Sequence, residues 1–113
     1  GPDEQFVAGR IMGADAGIGG TYGAMPELYL KMDELIKRSE WEKAAEIQNI
    51  VTPLIYRLCS FRSMHGAVKG IITLDGCPMG DPRLPFLPVS VDDPDLKALY
   101  QDIRKAVEET KEW

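Results

Sequence analysis

The chain has 113 residues, 27% of them charged, and a formal net charge of −5. One hydrophobic core is commonly built from a chain of this length, so we expect a single domain over residues 1–113. The acidic balance excludes nucleic acid as a partner, because phosphate backbones bind to basic surfaces.

The hydropathy of the sequence also excludes a membrane partner. No apolar run reaches the roughly 18 residues that span a bilayer, and the amino terminus lacks the basic-then-apolar layout of a signal peptide. We therefore expect a cytoplasmic protein. In that compartment Cys59 and Cys77 are expected to be free thiols.

The amino-terminal quarter predicts a short helix followed by a buried strand. Asp3 can cap a helix that ends at Gly13, and its apolar positions fall on one face: Phe6, Val7, Ile11 and Met12. The segment Ala16–Tyr22 has the length of a buried strand. It is rich in Gly and Ala, so another group is expected to approach its backbone closely.

The rest of the chain predicts four more helices. The first begins at Pro26 and runs to about Arg38, and a capping box of Ser39 and Glu42 opens the second. The second helix ends near Leu58, and the third covers Met64–Leu74. A proline-rich connection over Cys77–Pro88 leads to the fourth helix, which Asp93 and Pro94 open.

The predicted elements include five helices but only one strand. A lone strand cannot pair its own backbone donors and acceptors, so its partners must come from a missing amino-terminal part or from another copy of the chain. The sequence also begins at Gly1 inside a motif and without an initiator Met. We therefore expect a fragment of a larger enzyme.

Two motifs are candidates for chemistry: the adjacent carboxylates Asp3 and Glu4, and the glycine cluster over residues 17–20. Both are typical of the carboxyl-end rim of a (β/α) barrel, although acidic residues in a first turn also serve as plain caps. The glycines lack the complete dinucleotide fingerprint. His65 is the only histidine, so we predict neither a metal nor a cofactor.

The residues resemble the class I pyruvate-dependent lyases and synthases typified by N-acetylneuraminate lyase and dihydrodipicolinate synthase. Three features carry the resemblance: the Gly-x-Asp-Glu opening, the Gly-Ile-Gly-Gly-Thr-Tyr segment with its following Pro, and Lys69 on a helix before Arg83-Leu84-Pro85-Phe86 and a final amphipathic helix. The first two look like the neuraminate lyase branch. Gly20 and Gly23 depart from it, because that branch has Ser at the first position and family members commonly have Asn at the second.

The resemblance implies an α/β fold, namely the carboxyl-terminal fragment of a (β/α)8 TIM barrel. The fragment would be mostly α-helical with one core strand, and would comprise barrel helix seven, strand eight, helix eight and three terminal helices. The substrate-binding residues it implies are Gly1, Asp3, Glu4, Ile18, Gly19 and Gly20. Among these, the two carboxylates would bind hydroxyls of an open-chain sugar acid, and Ile18 and Gly19 would line the pyruvate end.

The implied activity is aldol cleavage of a sugar 2-keto acid to pyruvate and an aldehyde through a lysine Schiff base. The family's imine lysine and its proton-shuttling tyrosine would lie upstream of Gly1. We therefore predict no catalytic residue in this chain and no activity of the chain alone. The resemblance leaves open a dihydrodipicolinate synthase-like or 2-keto-3-deoxy acid aldolase activity.

A different class of function is a non-enzymatic helical fragment that oligomerises. The unpaired edges of the strand over Ala16–Tyr22 would attract another copy, so a homo-oligomer is expected in either case.

Overall fold

The computed structural model describes all residues from Gly1 to Trp113. Two single-turn 3-10 helices, Asp3–Gln5 and Tyr22–Ala24, accompany five α-helices: α1 Phe6–Ile11, α2 Pro26–Lys37, α3 Trp41–Ser60, α4 Met64–Leu74 and α5 Pro94–Thr110. None of these helices combines the length and the apolar character that crossing a bilayer requires.

Several helix boundaries confirm the sequence prediction. Gly13 ends the α1 region with φ of 108°, a left-handed conformation that favours glycine. The Asp93 side chain caps α5 by accepting from the backbone N–H of Asp95 and Leu96, with Pro94 in the first turn. The helix α4 has the predicted bounds.

The predicted capping box at Ser39 is wrong. Ser39 has φ of 60° and lies in the turn after α2, and no side chain caps α3. The backbone reverses within three residues between α2 and α3, and the N–H of Glu40 donates to the carbonyl of Leu35 at 2.8 Å. This tight turn requires a left-handed residue, so Ser39 closes one helix instead of opening the next.

The core lies between α2 and α3 and is closed by α5, which packs on α2, α3 and α4. It contains 22 buried apolar residues in one cluster. The proline-rich segment after α4 packs directly on that helix, because a Cβ at Gly66 would lie 2.3 Å from the carbonyl oxygen of Leu87. Gly66 therefore stands in α4 where the approaching chain leaves no room for a side chain.

The predicted core strand over Ala16–Tyr22 is not formed. Residues 16–19 have no regular secondary structure, and Tyr22 begins a 3-10 helix. Ile18, expected in the core, is 93% exposed. A strand needs a neighbouring strand for its backbone hydrogen bonds, and this all-helical chain supplies none.

Candidate functional site

Asp3 anchors the glycine-rich segment to the start of the fold. No side chain caps the first helical turn, contrary to the capping expectation. The buried Asp3 carboxylate instead accepts two hydrogen bonds at Oδ2, from the backbone N–H of Thr21 at 2.9 Å and from Thr21 Oγ1 at 2.5 Å. Thr21 Oγ1 also lies 3.0 Å from the hydroxyl of Tyr29 on α2.

The donors in this cluster follow from the acceptors. A carboxylate can only accept, so the single hydroxyl proton of Thr21 goes to Asp3 and the Tyr29 hydroxyl donates to Thr21. Burial raises the pKa of Tyr29 well above its usual value, against the lowering effect of the Thr21 bond, and the Asp3 charge raises it further. Tyr29 therefore keeps its proton as a donor near neutral pH.

Three aromatic rings enclose this hydrogen-bonded cluster. Tyr22 stacks on Tyr29 with ring centroids 3.9 Å apart, and Phe6 meets each tyrosine edge to face. Burial, and to a lesser degree Asp3, also raises the pKa of Tyr22. The rings hold the 3-10 turn after the glycines against α1 and α2.

Gly17 and Gly19 are required by contacts within the chain. A Cβ on Gly19 would lie 2.2 Å from Asp3 Oδ1 and 2.3 Å from Cε1 of Tyr22. A Cβ on Gly17 would lie 2.5 Å from the Tyr22 hydroxyl. The expected close approach to the backbone therefore occurs, and the approaching groups are these side chains.

Gln48 fixes the first turn from the side of α3. Its Oε1 accepts from the backbone N–H of Val7 at 3.1 Å, and its Nε2 donates to the carbonyl of Asp3 at 3.4 Å. Both groups are buried. The position of Asp3 is thus set by the longest helix of the fold as well as by Thr21.

Arg10 ties the loop before the glycines to α2. Its guanidinium donates to Asp33 at 2.8 Å and to the carbonyl of Ala14. The hydrogen bond from Lys37 and those from Arg10 lower the pKa of Asp33 below its usual value. Asp33 therefore remains a carboxylate that holds Arg10 on the loop.

The six predicted substrate-binding residues fall into separate groups. Asp3 and Gly19 are in contact, and Gly1 and Ile18 line one open groove along α1. Gly20 lies toward α4, where its Cβ would be 3.1 Å from the terminal methyl of Met64. The sixth, Glu4, is half-buried next to Asp3 in sequence and makes no hydrogen bond or ion pair within the chain.

Sequence reasoning missed Thr21, Tyr29, Gln48 and Arg10. A threonine directly after two glycines and a tyrosine beside an apolar helix position were visible signals, but the sequence does not say which polar atoms meet. Chemically, this cluster offers carboxylate acceptors for hydroxyl groups. No three His, Cys, Asp or Glu side chains are grouped as metal ligands would be.

Gly19→Ala should disturb this site strongly. The new methyl group must displace the buried Asp3 carboxylate or the stacked Tyr22 ring, so we expect a loss of about 1–3 kcal/mol in the free energy of unfolding. Urea unfolding of the chain measures it. Gly23→Ala is the matched control, since its Cβ meets only Cδ1 of Ile72 at 3.4 Å. Equal stability of the two variants would contradict the packing described for Gly19.

The chain is similar to several curated N-acetylneuraminate lyases. That of Mediterraneibacter gnavus is 47% identical over 95 residues, which cover 82% of this chain and 30% of the relative. That of Rhizobium meliloti is 33% identical over the whole chain, which covers 36% of the relative. The chain thus spans about a third of the length of these proteins.

The chain is also similar to part of a solved enzyme structure. The Ruminococcus gnavus sialic acid aldolase, in wild-type form and as a catalytic lysine mutant, superposes with a TM-score of 0.89 at 41% identity. The match covers 96% of this chain and 37% of the aldolase. The dihydrodipicolinate synthetase family is matched over residues 1–105, and the chain belongs to that family.

Proposed function

We propose that this chain is the carboxyl-terminal part of an N-acetylneuraminate lyase-like carbon–carbon lyase with a (β/α)8 barrel. Residues 1–113 would form barrel helix seven, strand eight, helix eight and three terminal helices. The segment over residues 16–19, which has no regular secondary structure in this chain, would become strand eight once a neighbouring strand pairs with it. The relatives named as lyases and the aldolase structures support this placement.

One observation carries the proposed substrate class: two neighbouring carboxylates retain free acceptor oxygens. Asp3 Oδ1 and the Glu4 carboxylate make no hydrogen bond within the chain, whereas Asp3 Oδ2 is used by Thr21. Ionised carboxylates only accept, so they are suited to the hydroxyl groups of a sugar 2-keto acid. We assign substrate binding to Gly1, Asp3, Glu4, Ile18, Gly19 and Gly20.

The bond-breaking step would use groups in the preceding part of the enzyme. A lysine amine there condenses with the substrate ketone, releasing water and forming an imine. Loss of the hydroxyl proton then breaks the carbon–carbon bond, the aldehyde leaves, and the imine receives the electron pair as an enamine. Protonation and hydrolysis release pyruvate and restore the amine. The present residues would orient the sugar chain.

Gly20 favours a second candidate, a dihydrodipicolinate synthase-like or 2-keto-3-deoxy acid aldolase activity. The neuraminate lyase branch resembled by this sequence has Ser there, so a hydroxyl that would contact the sugar is absent. The only close neighbour of a Cβ at this position is the flexible Met64 side chain, which leaves this part of the site open.

A chimera tests the proposal. We join residues 1–113 behind the preceding part of the Mediterraneibacter gnavus lyase, and expect cleavage of N-acetylneuraminate together with borohydride trapping of pyruvate. Glu4→Gln should lower kcat/KM for the sugar acid roughly tenfold, because a neutral amide replaces the charged acceptor and its hydrogen bond is weaker. Trapping should stay near normal, since the lysine lies elsewhere.

Glu46→Gln is the matched control, an exposed glutamate on α3 that makes no ion pair. It should leave both measurements unchanged. A chimera that traps pyruvate and cleaves a shorter 2-keto-3-deoxy acid, but not N-acetylneuraminate, would support the second candidate instead. Equal loss of trapping and turnover in Glu4→Gln would contradict the assignment of Glu4.

Homo-oligomer formation is part of the proposal. It is supported by the strand proposed over residues 16–19, because an unpaired strand edge attracts another copy. Met12 and Ile18, which are 86% and 93% exposed, would add apolar surface to such a contact. The same exposure favours the alternative of a non-enzymatic helical fragment that associates with itself. An inactive chimera, combined with defined oligomers of the isolated chain, would support that alternative.

A further inference from the structure

Thr21 makes three hydrogen bonds to Asp3 and Tyr29, and the proposed function gives it no substrate role. Only 3% of its surface is exposed. Its backbone N–H and its hydroxyl both donate to one oxygen, Asp3 Oδ2, and its hydroxyl accepts from Tyr29. Three hydrogen bonds thus meet at the residue that ends the glycine-rich segment.

This arrangement orients the Asp3 carboxylate. Two donors on Oδ2 fix the plane and rotation of the group, so the direction of Oδ1 is fixed as well. Oδ1 then lies beside Gly19, where a Cβ would be 2.2 Å away. The free acceptor oxygen is therefore held against the segment proposed to line the substrate pocket.

The support extends into α2. Tyr29 is 4% exposed, and its ring is held between Tyr22 and Phe6. Its hydroxyl is therefore a fixed donor, and Thr21 connects a rigid helix to a carboxylate that precedes it by 18 residues. Thr21 therefore links Tyr29 on α2 to Asp3 in the first helical turn.

We propose that Thr21 is a positioning residue of the lyase. It fixes the position of Asp3 relative to the segment over residues 17–20, so that Asp3 Oδ1 meets the sugar hydroxyls. This inference rests on the proposed function for its catalytic consequence. The hydrogen-bonded arrangement itself is a property of the 113-residue chain.

Amide hydrogen exchange of the 113-residue chain tests the arrangement without any enzyme assay. Thr21→Val keeps the shape but removes the hydroxyl, and leaves Asp3 and Tyr29 each short of a partner. We expect exchange of the amide at position 21 to become roughly tenfold faster, which is the effect of one hydrogen bond to a charged group. Thr21→Ser retains the hydroxyl and should stay within about twofold of the original rate. Amides of α5 serve as the internal control.

The chimera tests the catalytic consequence. For Thr21→Val we expect KM for N-acetylneuraminate to rise roughly tenfold, while the amount of trapped pyruvate stays within about twofold, because the imine lysine is not supported by Thr21. Thr21→Ser should restore KM. A purely structural role would lower trapping and turnover together and would not be rescued selectively by Ser.

Two results would overturn the inference. One is unchanged exchange at position 21 in Thr21→Val, which would show that the hydroxyl does not hold the segment. The other is faster exchange with unchanged KM in an active chimera, which would show that the arrangement does not serve the sugar. If the unmodified chimera cleaves no sugar acid, the proposed function fails while the exchange measurement still tests the hydrogen bonds.

Discussion

Incubating the purified 113-residue chain with pyruvate and borohydride should label none of its lysines. Every lysine amine lies within 4.0 Å of a carboxylate or carbonyl oxygen, as follows: Lys31 with Glu34, Lys37 with Asp33, Lys43 with Glu40, Lys69 with the carbonyl of Asp81, Lys97 with Asp92, Lys105 with Glu109 and Lys111 with Glu108. These oxygens accept hydrogen bonds from the protonated amine, and an ammonium has no lone pair with which to attack a ketone.

The readout is peptide mapping by mass spectrometry. At Lys111 the hydrogen bond to Glu108 raises the pKa, which further disfavours the free amine. The intact Mediterraneibacter gnavus lyase, treated in parallel, is the positive control. Stoichiometric labelling of one lysine in the isolated chain would place the imine inside residues 1–113 and would overturn the proposed division of labour.

Leu99→Ala should cost the isolated chain about 2–5 kcal/mol in the free energy of unfolding. Leu99 is fully buried on α5, the helix that closes the core against α2, α3 and α4. Removing its side chain leaves a cavity where several helices meet, and a small domain has only about 5–15 kcal/mol of stability in total. Urea unfolding followed by circular dichroism measures the change.

Leu30→Ala is the matched control for this substitution. Leu30 lies on α2 and is 69% exposed, so we expect a change within about 0.5 kcal/mol. A similar loss in both variants, or none in either, would mean that the isolated chain does not form the core described above. The comparison therefore also tests whether the helices fold together in the isolated chain.

Local sequence patterns predicted most of the helical structure correctly. The apolar spacing and end signals placed α2 and α4, and Asp93 with Pro94 placed the start of α5. These features depend on residues within one or two helical turns of each other, so a short stretch of sequence is enough to predict them. Ser39 was misread because its role depends on the reversal between two packed helices.

The strand over Ala16–Tyr22 failed for a related reason. A β-strand exists only through hydrogen bonds to another strand, and its neighbours are not encoded in the same residues. The sequence indicated the lack of partners but not the resulting conformation. In this chain residues 16–18 are exposed and without regular secondary structure, Thr21 is buried, and Tyr22 begins a 3-10 helix.

The sequence by itself determined the helices, the acidic character and the two motifs from which the family could be recognised. Only the tertiary structure decided that Asp3 holds Thr21 instead of capping a helix, that Tyr29 completes the hydrogen bonds, and that Gly19 lacks a side chain because Asp3 and Tyr22 fill the space. The contact between Asp3 and Thr21 joins residues 18 positions apart, and packing of α1 and α2 brings them within hydrogen-bonding distance.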